Sequence, residues 1–480
     1  MLRSLLILFI LSLLWAAVLW FGITPDFSQW SNLRFVAAHV LPPMAPWLAW
    51  LFIRHRRHLR KAREAEQRDT HAQTEGQIRL DAARQQHEEE LQRRRHACDC
   101  RGIAISDLVV NGRFELPEAD NVNLKCVPAD AVAHADDLLA ALRGPVKDAL
   151  RQIYIACGAA AALPIYIQPP AAVAAAEAID TVREINRQLI DELALPFRLD
   201  ANKPPVIFFF TADSAANGVN GLFEKVPDLP GAIILGFDSP LVHAQLGIPA
   251  TDDGHAGAPS HAAVAMLVTN RHLAEMLGAL DDDSLGETDA MTPYWQLGTQ
   301  LEGNLALLVP VPHGLRAKLA NLPLIGRIHR SADGEASNAG MLGLTRHLQS
   351  LVERAQINAG LLELPFAFTE TSSEAAPATG TEEAPAAACQ WLVHNAGQVE
   401  YMGDRLVAIG TALSLLGMEL KPVDMATNVV SHIGNLGRGR SVAMLAIALA
   451  RALTHAAPVI WVDFEASSVS VGFVMPVTTS

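Results

Sequence analysis

Residues 5–23 form an almost unbroken apolar run, interrupted only by Ser12 and Gly22. As a helix rising about 1.5 Å per residue, the run is long enough to span the hydrocarbon core of a bilayer. A cleaved signal peptide needs a short apolar core followed by small residues at the cleavage point. Here the core is long, contains Trp15 and Trp20, and leads into no such site. The reading is a retained membrane helix. A second apolar stretch, 35–53, carries His39, Pro42, Pro43 and Pro46, so a helix there is expected to be kinked. It reads as a second span that completes an N-terminal transmembrane hairpin, with a re-entrant or surface-lying segment as the alternative and Trp47 and Trp50 as interfacial anchors.

Charge divides the chain along the same line. Of 37 Lys and Arg and 51 Asp and Glu, residues 1–63 hold eight basic groups and one acidic group, Asp26. The remaining 29 basic and 50 acidic residues leave the rest of the chain at −21. That balance argues against general nucleic-acid binding, which needs a basic surface. Six of the basic residues crowd into RHRRHLRKAR at 54–63, and the positive-inside rule places this cluster, and the body after it, in the cytoplasm. Five cysteines in 480 residues exclude a disulfide framework and agree with a reducing compartment. Residues 59–98 are rich in Glu, Gln, Arg and Ala, a helix-forming composition without a sustained heptad, and read as a polar stalk. Cys98 and Cys100 beside His96 lack the second ligand pair a zinc site needs, so no metal is expected.

From Gly102 onward, helical patterns at 136–152, 171–192, 269–280, 341–358, 403–417 and 440–454 alternate with strand-like runs. The runs are 206–211, 231–236, 262–268, 305–309, 390–394 and 459–464, a pattern that predicts an α/β body with a buried, largely parallel sheet. Residues 369–388 are an acidic Ala/Pro/Thr tract with nothing to bury, expected to be a disordered insertion. The acidic run at 281–290, with Asp281, Asp282 and Asp283, lacks calcium-loop spacing and reads as a solvated turn. No phosphate-loop, zinc-protease or serine-elbow motif occurs, and no cofactor is expected. The Gly-rich element SHIGNLGRGRS at 431–441 precedes an apolar helix. It either presents a helix N-terminus to an anion or packs tightly through its small residues.

The C-terminal pattern resembles the ketoacyl synthase and thiolase superfamily. His394-Asn395-Ala396-Gly397, followed by Gly403-Asp404, is similar to that family's first histidine segment. Ser431-His432-Ile433-Gly434, entering RSVAMLAIALARAL, is similar to its second. VIWVDFEASSVSVGFV at 459–474 resembles the closing strand and Gly-rich turn, and 261–277 the strand and helix ending the first half. The resemblance implies a thiolase-like layered body of two related α/β halves, with His394 and His432 polarising an acyl carbonyl near their seam. It also implies a cysteine at a strand-to-helix elbow. Asp213 stands where that thiol would be, and Cys126, Cys157 and Cys389 lie elsewhere in the pattern. Val429, Val430 and Ser431 replace the family's lysine. His394, His432 and Asp213 are therefore vestigial candidates, and the expectation is a body that has lost the condensing reaction.

Taken over its whole length, the chain resembles the type VI secretion lipase adaptor family. The layout that carries this is a membrane anchor (1–58), a charged helical stalk (59–98) and a degenerate thiolase-like body in two parts (99–330 and 331–480). The resemblance implies an inner-membrane adaptor whose partners are a lipase effector protein and a secretion spike protein. The competing expectation is an acyl-transferring or thioester-hydrolysing enzyme that still uses the two histidines. A third reading is a membrane-tethered scaffold of an envelope machine.

Overall fold

The computed structural model describes residues 2–22, 31–106, 137–170, 172–195, 207–209, 214–227, 229–247, 257–273, 313–335, 340–366, 389–397, 403–465 and 468–477. Two compact units are present, the first formed mainly by residues 1–88. It holds helix α1 (Leu2–Gly22) and most of helix α2 (Asn32–Arg94). The part of α2 from Asn32 to Glu64 is long and apolar enough to cross a membrane, and Leu8–Phe21 is a shorter apolar segment. The boundary read between anchor and stalk at 58/59 falls inside α2, which continues through Pro42, Pro43 and Pro46.

A specific hydrogen bond compensates for the first of these prolines. Pro42 has no N–H to offer the carbonyl of Ala38, one helical turn back, and an unmet carbonyl in an apolar medium is costly. The indole Nε1 of Trp15 on α1 donates to that carbonyl at 2.7 Å. Trp15 lies on the partly covered face of α1 with Leu11 and Leu19, whereas Phe9, Leu13, Leu14 and Phe21 are exposed. Trp15→Phe keeps the bulk and removes the donor. Hydrogen exchange over residues 32–46 is expected to speed up by about tenfold, the equivalent of one lost hydrogen bond. Unchanged exchange would contradict the lock.

The second unit is built from two copies of one topology. The first copy runs β1 (Ala97–Ser106), α3 (Leu138–Ala156), β2 (Ile165–Gln168), α4 (Ala175–Glu192), β3 (Ile207–Phe209), α5 (Ala215–Lys225), β4 (Gly231–Asp238) and β5 (Ala262–Asn270). The short α6 (Pro240–Gln245) lies between β4 and β5, and α7 (His313–Ala320) follows β5. The second copy opens with β6 (Gly326–His329) and β7 (Ala332–Glu335), one strand interrupted at Arg330 and Ser331. It continues through α8 (Gly340–Ala359), β8 (Trp391–His394), α9 (Gly403–Leu415), β9 (Ala426–Asn428), α10 (Val429–His432), α11 (Arg440–His455), β10 (Val459–Phe464) and β11 (Ser468–Pro476). In each copy the strands lie in the order third, second, fourth, fifth, first, and only the fifth runs antiparallel to its neighbours. The two first strands pair antiparallel, Ala97 opposite His329 and Cys100 opposite Gly326, as a two-fold relation between halves requires. This joins everything into an 11-stranded sheet. The expected thiolase-like α/β body of two related halves is the fold observed, but the sheet expected to be largely parallel is mixed, because β5 and β11 run antiparallel to their neighbours and the halves join through antiparallel β1 and β6.

Period-two burial sorts the layers. In β4, Ala232 and Ile234 face one core with α5 and α11, while Ile233 and Leu235 face another with α3 and α4. In β10, Val459 and Trp461 join the α5/α11 core, and Ile460 and Val462 face α8 and α9. Helix α11 is therefore enclosed, and Ser441 through Ala450 are all buried. An apolar helix without a polar face belongs in such a place.

Some elements differ from the sequence reading. β1 begins at Ala97, inside the stretch read as stalk, and buries Cys98 and Cys100 on the face it turns to the central core. The helix read over 269–280 starts within β5, whose residues through Asn270 pair with β1. The insertion 369–388, the acidic turn 281–290 and the strand read at 305–309 lie outside the described residues.

Close packing around α11 makes a paired prediction. A Cβ on Gly236 would stand 2.7 Å from Cβ and Cγ2 of Val442, whereas one on Gly221 in α5 meets open space. Gly236→Ala is expected to destabilise the body by about 1–3 kcal/mol, as overpacked cores do. Gly221→Ala is expected to stabilise it by up to about 1 kcal/mol through helix propensity. Denaturant melts of the two variants check the sign of each. Equal effects would contradict the packing described.

Candidate functional site

The parallel strands β8 and β9 end side by side, with His394 opposite Asn428. Chain geometry then brings the two candidate histidines to one end of the sheet. His394 closes β8, and His432 closes α10, the single turn that follows β9 and is capped by the Asn428 side chain accepting from the Ser431 N–H. His394 is fully buried, and its ring pKa is pushed down to about 4, chiefly by loss of solvent, with the nearby His432 charge adding to the effect. Both ring nitrogens are engaged by backbone. Nε2 lies 2.9 Å from the Pro422 carbonyl, and Nδ1 lies 3.3 Å from the Ala396 N–H. Those partners require the tautomer with the proton on Nε2, donating to Pro422 and accepting at Nδ1.

The rest of the histidine segment is also committed to the fold. The Asn395 side chain accepts from the Phe464 N–H at 2.7 Å and donates to the Phe464 carbonyl and to Oδ1 of Asp463. Asp463 is buried and accepts from Nε of Arg440 at 3.0 Å, at the first residue of α11. The Asn428 side chain donates to the Gly397 carbonyl at 2.8 Å.

The Gly-rich loop between His432 and α11 is pinned onto the first half. The Asn435 N–H donates to the Ala258 carbonyl at 2.8 Å, and its carbonyl accepts from the Ser260 N–H at 2.9 Å. The Arg438 N–H donates to Oδ2 of buried Asp238, and the Gly437 N–H to Oδ1 of Asn435. Gly434 and Gly437 have φ of +100° and +54°, and a Cβ on them would strike the Ala258 carbonyl and the Asp238 carboxylate. Of the two readings open for this loop, tight packing is the one these contacts satisfy. The Arg438 and Gly437 amides already have acceptors.

Asp213 lies outside the described residues. The residue after it, Ser214, is the N-cap of α5 and accepts from the Asn217 N–H. Its Oγ stands 2.5 Å from Oγ of Ser331, which in turn donates to Oδ1 of Asp333 at 2.7 Å. With the Ser331 proton directed to Asp333, Ser214 is the donor to Ser331. The first amide of α5, at Ala215, donates to Oγ of Ser441 in the first turn of α11 at 3.1 Å. A donor that could hold an oxyanion at this elbow is thus filled by the other half of the molecule. Sequence reasoning missed Ser214, Ser331, Asp333, Ser441 and Asp463. Isolated serines and aspartates carry no motif until the two halves are superposed.

The described thiols lie away from this chemistry. Cys389 sits before β8, at the end of the strand opposite His394, and burial raises its pKa to about 11. Cys98 and Cys100 belong to β1, with the Cys100 thiol pushed to about 12 and that of Cys98 raised as well, both mainly by burial. Cys157, after α3, is raised for the same reason. Cys126 lies outside the described residues. Among the described residues, no three His, Cys, Asp or Glu side chains converge in a way that could hold a metal ion.

No family model matches the chain, and no curated protein matches it. Among solved structures, a Streptomyces albus oxazolomycin ketosynthase domain is similar at 10% identity and a TM-score of 0.40, covering 80% of this chain and 96% of that one. The 3-oxoacyl-(acyl carrier protein) synthase III of Pseudomonas aeruginosa is similar at 13% identity and 0.36, covering 80% and 100%. Xanthomonas OleA with bound acetamide is similar at 10% identity and 0.38, covering 79% and 99%. These likenesses are faint, and the fold assignment rests on the duplicated topology itself.

Two buried rings give the body a signature in acid. His394 and His329 both have folded pKa values of about 4, each set mainly by burial. The unfolded value is about 6.5, so between these limits the unfolded chain binds the extra protons. Stability is then complete above about pH 6.5 and falls as the pH drops toward 4. His394→Gln is expected to lower that slope by up to about 1.4 kcal/mol per pH unit. An unchanged slope in denaturant melts from pH 7 to pH 4.5 would contradict the assignment.

Proposed function

We propose that this chain is a membrane-anchored adaptor whose thiolase-like body binds a protein partner and no longer condenses acyl groups. The observation that carries the reading is the occupation of the old catalytic groups. Both nitrogens of His394 are held by backbone, and the Ala215 amide is capped by Ser441. Condensation through a covalent thioester needs an activated thiolate, and burial raises the pKa of every described thiol. The layout of anchor, charged helix and degenerate body supports a type VI secretion lipase effector as the partner, handed on to the secretion spike protein. The basic run at 54–63 supports an inner-membrane location with the body in the cytoplasm. The acidic balance of residues 64–480, −21 in formal charge, would speed encounter with a basic patch on the effector.

The alternative, an acyl-transferring or thioester-hydrolysing enzyme, draws on the placement of His394 and His432 at one end of the sheet. One experiment separates the two readings. The full chain in neutral detergent is used to pull down a co-encoded lipase effector at low and high salt, and the same preparation is assayed for thiol release from acyl-CoA. The adaptor reading expects retention that weakens with salt, and no thiol release above the blank. Loss of retention at low salt together with measurable turnover would favour the enzyme.

A further inference from the structure

The apolar part of α2 runs directly into a dense cationic segment on the same continuous helix. Arg54, Arg56, Arg57, Arg60, Lys61 and Arg63 fall within ten residues that hold no acidic group, and all six are exposed. None of the six makes an ion pair among the described residues, whereas acid–base pairs resume further along the helix, at His71–Glu75 and Arg84–Asp81. Helical spacing gathers Arg54, Arg57 and Lys61 (i, i+3, i+7) into one stripe. On the apolar side of the cluster, the Arg54 guanidinium lies 5.3 Å over the Trp50 ring and that of Arg56 lies 4.7 Å over the Phe52 ring. Aromatic rings topped by cations are suited to the boundary between acyl chains and headgroups.

We infer that residues 54–63 form a binding site for anionic phospholipid headgroups. The position argues for lipid over any other polyanion. A stripe of guanidinium and ammonium groups one turn beyond an apolar, Trp-bearing helix end lies at the depth of lipid phosphates, and among the described residues none of its cations is held in an ion pair. Each cation near an anionic surface adds attraction that salt screens. The inference rests on reading residues 1–58 as a membrane anchor, and it adds the class of lipid that the anchor selects.

The test uses the full chain in a neutral detergent, titrated with short-chain phosphatidylglycerol or phosphatidylcholine and read by native mass spectrometry. Phosphatidylglycerol is expected to bind at least tenfold more tightly, with a preference that shrinks as salt rises. Arg54→Gln/Arg57→Gln/Lys61→Gln, three exposed changes, is expected to lose most of that preference, roughly ten- to a hundredfold. Equal affinity for the two lipids, a preference that survives the triple change, or tighter retention of an oligonucleotide than of phosphatidylglycerol would overturn the site. Release of the chain from membranes by alkaline carbonate would overturn the anchor reading as well. A chain that stays in the membrane but shows no headgroup preference overturns this inference alone.

Discussion

The enclosure of α11 is the constraint on which the body depends. A helix buried on every side must be met by apolar surface in all directions. That surface comes from β10 and β11 of its own half and from β4, β5 and β1 of the other. Its alanines, among them Ala443, Ala446, Ala448 and Ala450, let the sheets approach, and Gly236 of β4 yields the space that Val442 takes. The surface that buries this helix comes from both halves, so the α5/α11 core is shared between them.

The polar contacts at the seam follow from that packing. Bringing the N-termini of α5 and α11 together leaves their first amides buried, and buried amides must be paired. Ser441 pairs with the Ala215 N–H, Asp238 with the Arg438 N–H, and Ser214 links through Ser331 to Asp333. In a condensing enzyme, donors at such a place serve the transition state of the substrate. Here they serve the fold, and His394, bonded at both nitrogens, does the same.

Much of this was legible in the sequence. The strands at 231–238, 262–270 and 459–464 and the helices at 340–359 and 440–455 stand out as long apolar or strongly periodic runs. The segments around His394 and His432 were readable through their order and spacing. β1 was not, because ACDCRGIAIS interleaves charge with small residues and its burial comes from pairing with β5 and β6. β6, β7 and β9 are three or four residues long and take their conformation from their neighbours. The seam was invisible for a different reason. Ser214 meets Ser331 across 117 positions and Ala215 meets Ser441 across 226, and no local pattern records a contact between halves.

The central claim is that His394 and the α5 elbow are committed to the fold. The most direct measurement is the intact mass of the full chain after prolonged incubation with acyl-CoA or acyl-carrier thioesters near neutral pH. An unchanged mass is expected, because loss of solvent raises the pKa of the described thiols and the elbow amide is already occupied. A stoichiometric gain equal to one acyl group would contradict it.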